Sequence, residues 1–132
     1  MALKQVVHPE EVARPAGVWS PAILVTQPGK LLFISGLTAR DKTGVVIHRG
    51  DIRAQTRMIC ENLRAMVEAA GGTLKDIVSV TVFVTDITQF DAIHEVRREF
   101  FTSEPPASTM VEVTRLVHAD MLIEINAVAA LP

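Results

Sequence analysis

Glu112 and Glu124 each interrupt an apolar, alternating run, the first among Met110, Val111 and Val113, the second between Ile123 and Ile125. A carboxylate in such surroundings is costly unless it is paired or faces water. Its chemical use would be as a general base or acid that positions water. Its structural use would be an ion pair, for example with Arg115. A hairpin centred on His118 would set the two directly opposite, where like charges destabilise the pair or raise one pKa. Ser35-Gly36 ends a strand pattern and leaves backbone N–H groups open to a carboxylate or oxyanion, although Ser-Gly is also ordinary turn chemistry. None of His8, His48, His94 and His118 stands in a local metal-binding spacing. His8, His48 and His118 read as surface residues. His94 lies four residues after Phe90, at the edge of a buried helical face, and is a candidate pocket residue. With a pKa near neutral it would shuttle a proton. Trp19 is either a core plug or the wall of an apolar pocket. Cys60 lies inside a helix pattern and reads as a small buried hydrophobe. No phosphate loop, dinucleotide fingerprint or G-x-S-x-G turn is present.

These residues need elements to hold them. One helix is predicted over 51–70, with Asp51 as N-cap and Gly71-Gly72 as the stop. Its apolar stripe is Ile52, Ile59, Leu63, Met66, Val67 and Ala70, with Arg53, Arg57, Glu61, Arg64 and Glu68 solvated. A second helix is predicted over 90–101, opened by a capping-box-like Thr88-x-x-Asp91 and buried through Phe90, Ile93, Val96 and Phe100. Strands are predicted over 77–85, 108–115 and 121–129. Val78, Val80, Val82 and Val84 share a face in the first of them. Strands 23–27 and 31–35 flank Pro28-Gly29 and read as a hairpin. Two helices cannot cover both faces of such a sheet, so an α+β layer with both helices on one face is expected.

The 132 residues carry 48% hydrophobic and 21% charged side chains, a globular composition of one-domain size, 1–132. A net charge of −2 argues against a dedicated nucleic-acid binder. One cysteine excludes an intrachain disulfide framework and a Cys-rich zinc site and fits a reducing compartment. With no membrane-length apolar run and a charged, Pro-broken N-terminus, the expected location is cytoplasmic. A mean hydropathy of +0.29 is high for so short a chain and points to a homo-oligomer that covers the bare sheet face.

Three stretches then stand out: LFISGLTARDKTG, AQTRMICENLRAMVEAAGGTLKDIVSVTVFVTDITQFDAIHEVRREFF and PPASTMVEVTRLVHADMLIEINAVAA. In motif and spacing the chain resembles the Rid family, also called YjgF or L-PSP, over nearly its whole length. The resemblance implies a chorismate-mutase-like fold: a six-stranded mixed sheet with two helices on one face, assembled as a homotrimer with pockets at subunit interfaces. It implies a hydrolase without cofactor or metal, releasing ammonia from enamines and imines such as 2-aminoacrylate; relatives act on other amino-acrylates or amino-dienoates. Some members carry the label endoribonuclease. Ser35 and Gly36 match the family's pocket-lining Ser-Gly, and Glu124 its water-positioning glutamate. Ser108 departs from the pattern, since the deaminases carry there an arginine that binds the substrate carboxylate. Losing such a partner costs ~2–5 kcal/mol. Trp19 stands where Tyr is common, Met110 where Cys is common, and His94 where Asn is common. Arg115, on the opposite strand face from Ser108, is a poor substitute for the missing arginine.

The expected function is a Rid-like hydrolase with a non-standard small-molecule substrate. Glu124 is the catalytic residue; Trp19, Ser35, Gly36, His94, Ser108 and Met110 bind substrate. The alternative is a non-catalytic binding or regulatory trimer. Neither nucleic acid nor membrane is an expected partner.

Overall fold

The computed structural model describes residues 3–132. Its strands are β1 (Leu3–Val6), β2 (Ile23–Thr26), β3 (Lys30–Leu37), β4 (Ile77–Val84), β5 (Ala107–Glu112) and β6 (Ile123–Leu131), with helices α1 (Ile52–Ala69) and α2 (Phe90–Phe100). The α+β class with two helices is as expected, but the six strands do not form one sheet. β3-β6-β4-β5 make a four-stranded mixed sheet, and β1-β2 a separate antiparallel ribbon.

Two sequence-predicted hairpins are replaced by longer-range pairings. β2 pairs with β1, not with β3 across Pro28-Gly29. The Gly29 N–H donates to the Leu131 carbonyl at 3.0 Å, and the turn feeds β3 into an antiparallel ladder with β6. β5 and β6 are not neighbours either, because β4 lies between them, parallel to β5 and antiparallel to β6. Glu112 and Glu124 therefore never face each other. Glu112 accepts the Ile87 N–H at 2.9 Å, so its role is to tie a loop and not to form an ion pair with Arg115. With β3 and β4 parallel, each helix is a crossover between parallel strands. The fixed handedness of such crossovers explains why both helices lie on one face.

The helices follow the apolar periodicity, with informative exceptions. Asp51 caps α1 through the Ala54 N–H at 3.0 Å. Gly71, at φ +90, closes it: its N–H reaches the Glu68 carbonyl and the Gly72 N–H reaches Val67, the double bond of a left-handed C-terminal cap. Met66 and Ala70, expected inside, are exposed, while Gln55 and Thr56 are buried. At the start of α2 the expected Thr88 box is absent. Asp86 instead accepts from the Thr88 N–H and hydroxyl, capping a short 3-10 turn (Ile87–Gln89) that runs into the helix. A bulge between Ile77 and Ser79 turns Ile77, which alternation sets on the face opposite the valines, into the core.

Ile59, Leu63, Val67, Val82, Val84, Ile93 and Ile123 are fully buried between helices and sheet, each stabilising the fold by roughly 1.5–3 kcal/mol. Gln55 links α1 to the chain entering β6. Its amide donates to the Asp120 carbonyl at 2.9 Å, and its carbonyl accepts the Leu122 N–H at 3.0 Å. Gln55→Leu keeps the volume but strands both backbone groups, and is expected to cost about 2–3 kcal/mol, read as a lower urea midpoint at unchanged m. No described helix is long and apolar enough to cross a membrane.

The other face of the sheet is uncovered. Phe33 is 73% exposed and Leu31 54%. Val128 pairs with Phe33, Asn126 with Thr81 and Glu124 with Phe83 along this face.

Candidate active site

β3 and β6 position the first group of residues. Their ladder shifts between Ile34 and Leu37, so that Ser35 and Gly36 together stand opposite Asn126. Such a bulge re-aims the strand and brings Gly36 against Glu124. A Cβ on Gly36 would lie 2.7 Å from Glu124 Cδ and 2.9 Å from Cγ, with Oε2 nearer still. Glycine is required here by close approach and not by backbone conformation. Glu124 is half-buried and, among the described residues, has no ion-pair partner. Its carboxylate is available to a ligand or water. Farther along the same face a shallow depression of about 330 Å³, which Glu124 does not line, is bordered by Phe33, Ser35, Ser79, Thr81, Asn126 and Val128.

The second group lies on the helix side, at the β5 edge. Ser108 and Met110 pair with Val80 and Val82, whose side chains lie under the helices. Met110 packs on the core cluster. Trp19 arrives through the chain before β2: the Ser20 N–H donates to the Pro106 carbonyl at 3.0 Å, and Ser20 bridges Ala107. The indole then meets the His94 ring edge-on at 5.7 Å, and Phe90 stacks on His94 at 4.0 Å. Trp19 is thus an aromatic wall beside His94. Gly17 closes the other side, where a Cβ would lie only 2.7 Å from His94 Nε2.

His94 is 2% exposed. Its Nδ1–H donates to the Phe90 carbonyl at 3.0 Å, which leaves Nε2 as an acceptor with no partner among the described residues. Burial pushes its pKa below the ordinary histidine value; the Phe90 hydrogen bond opposes this, and nearby Arg97 adds to it.

Arg97 is the residue that sequence reasoning misses. It is 1% exposed, and its Nη2 donates to Ser108 Oγ at 3.3 Å. The available signal is its spacing: position 97 follows Ile93 by four and Phe90 by seven, squarely on the apolar stripe, where an arginine is out of place. Arg115 is exposed beyond the end of β5. Cys60 is buried as expected, its thiol pushed up to about 12 by desolvation. Among the described residues no three His, Cys, Asp or Glu side chains converge to hold a metal.

Within one chain the sequence-selected residues form two groups: Ser35, Gly36 and Glu124 on the open face, and Trp19, His94, Ser108 and Met110 on the helix side. The arrangement is that of a small α+β protein with, on its open sheet face, a carboxylate that has no ion-pair partner among the described residues, and a buried basic pair behind an edge strand. The chain belongs to the Rid family, for the profile of Endoribonuclease L-PSP matches residues 10–131. A RutC family protein of Pyrococcus horikoshii is 43% identical over 128 residues, covering 96% of this chain and 98% of that protein. The 3-aminoacrylate deaminase RutC of Acinetobacter baylyi is 36% identical over 126 residues, covering 96% and 97%. The crystal structure of YyfB, of the conserved Rid protein family, from Yersinia pestis matches with a TM-score of 0.89 at 28% identity, covering 97% of this chain and 98% of that one.

Proposed function

We propose that the protein is a cofactor-independent enamine/imine deaminase for a small amino-acrylate or amino-dienoate. The observation that carries the reading is the Glu124 carboxylate, held beside the Gly36 bulge and, among the described residues, without an ion-pair partner. The likeness to a 3-aminoacrylate deaminase supports it. The enamine takes a proton on carbon and gives one up from nitrogen, which makes the imine. Glu124 orients water and removes its proton as oxygen bonds to the imine carbon. The nitrogen is protonated, the new hydroxyl gives up its proton as the carbonyl forms, the carbon–nitrogen bond breaks with its electron pair on nitrogen, and ammonia leaves with a keto product. Ser35, the backbone at Gly36 and Ser108 hydrogen-bond the substrate. Trp19, Met110 and His94 shape the pocket. A net charge of −2 gives no basic field for an RNA backbone.

The working form in this reading is a homotrimer. Its support is the exposed Phe33 and Leu31 on the open face and the division of the site residues between the two sides of the sheet. Pockets at subunit interfaces would bring the open-face group of one copy to the edge-strand group of the next. The second reading, a binding or regulatory trimer without turnover, is favoured by Ser108 where deaminases carry arginine.

Ammonia release from 2-aminoacrylate generated in situ, and from an amino-dienoate, tests the activity; sedimentation tests the assembly. The expected result is ammonia and keto product in equal amounts from a particle of about three times 14.4 kDa. Ligand-induced stabilisation without ammonia would favour the second reading, and a monomer would remove the interface pocket.

A further inference from the structure

We propose that Arg97 is the cation that receives the substrate's carboxylate, reaching from α2 to the place that an arginine at position 108 would otherwise serve. The inference names how the site recognises its ligand and rests on the deaminase reading above.

A guanidinium withdrawn from water needs a counter-charge. Arg97 has none: no carboxylate lies within ion-pair distance among the described residues, although Arg53 and Arg57 of α1 find Glu95 and Glu99. The acid coupled to it is the Cys60 thiol, which stays neutral. Burial lowers the Arg97 pKa to about 10, so the group remains charged at neutral pH. Among the described residues its one side-chain hydrogen bond, to Ser108 Oγ at 3.3 Å, is long, and its buried Nη1 has no partner. The guanidinium therefore keeps a spare donor beside the half-buried Ser108 on the edge strand. His94 Nε2, one turn earlier on the same helix and also without a partner among the described residues, lies against Gly17 instead. A donor fork with a spare N–H suits a carboxylate. Serine at 108 leaves that fork room to approach.

Pyruvate and its neutral methyl ester are the probes, titrated by calorimetry into the intact protein and into Arg97→Met and Arg97→Lys. The protein is expected to prefer pyruvate by at least about thirtyfold, with the preference lost in Arg97→Met and largely kept in Arg97→Lys. An unchanged preference in Arg97→Met, or no pyruvate binding by the natural protein, overturns the inference. Should Arg97→Met fail to fold, the Arg97 Nε–H resonance, assigned by its absence from Arg97→Lys, decides: it shifts with pyruvate and not with the ester, and a fixed signal overturns the assignment. Arg97-dependent pyruvate binding without ammonia release would sink the deaminase reading and keep the carboxylate site. Ammonia release from 2-aminoacrylate with the same KM in Arg97→Met would do the reverse.

Discussion

Glu124→Gln is expected to lower the rate of ammonia release by about 10²–10⁴-fold, the range that a positioned general base contributes. The substitution keeps the shape and one acceptor oxygen and replaces the other, basic oxygen by an NH2 donor. Glu124 has no ion-pair partner among the described residues, so the folded state loses no counter-charge and the unfolding free energy from urea denaturation should stay within about 0.5 kcal/mol of the natural protein. Substrate binding should change little, and the loss should fall on kcat. The measurement is steady-state ammonia release beside the denaturation curve. Turnover at the natural rate would remove Glu124 from the chemistry and leave it as a polar residue on a wet sheet face.

The second large effect comes from the residue facing that carboxylate. Gly36→Ala places a methyl group 2.7 Å from Glu124 Cδ and against Oε2, and the carboxylate must move by about 1 Å to restore contact distance. Misplacing a catalytic group by that much costs on the order of 10²-fold. Gly36 is not among the positive-φ positions, so alanine suits the backbone, and the atoms that yield are the far end of a flexible side chain. The loss should therefore appear in activity and not in folding. A double-variant cycle makes the test specific: Gly36→Ala should add little once Glu124 is already Gln, because both act through one carboxylate. Additive losses would mean that Gly36 serves the substrate directly.

Much of this protein is legible in its residues because the signals are local. Asp51 and Gly71-Gly72 bound α1 where capping chemistry places its ends. The valine alternation of β4 holds from Val80 to Val84 and fails only at the bulge that turns Ile77 inward. The motif spacing that carries the family resemblance needs no coordinates. The two hairpins fail for the opposite reason. Proximity in sequence favours pairing β2 with β3 and β5 with β6, but burying apolar faces under crossover helices inserts β4 between β5 and β6 and sends β2 to β1.

By itself, then, the sequence determined the α+β class, the two helices, the family and the short set of residues worth testing, since periodicity, caps and motif spacing are written along the chain. Only the tertiary structure decided which side of the sheet each site residue serves, that Glu112 ties a loop while Glu124 stands beside Gly36, and that Arg97 comes to Ser108 from a different element. Register and packing place residues far apart in the chain within a few ångströms of one another, and a buried charge is recognised as unmet only once every neighbour that might have met it is in place.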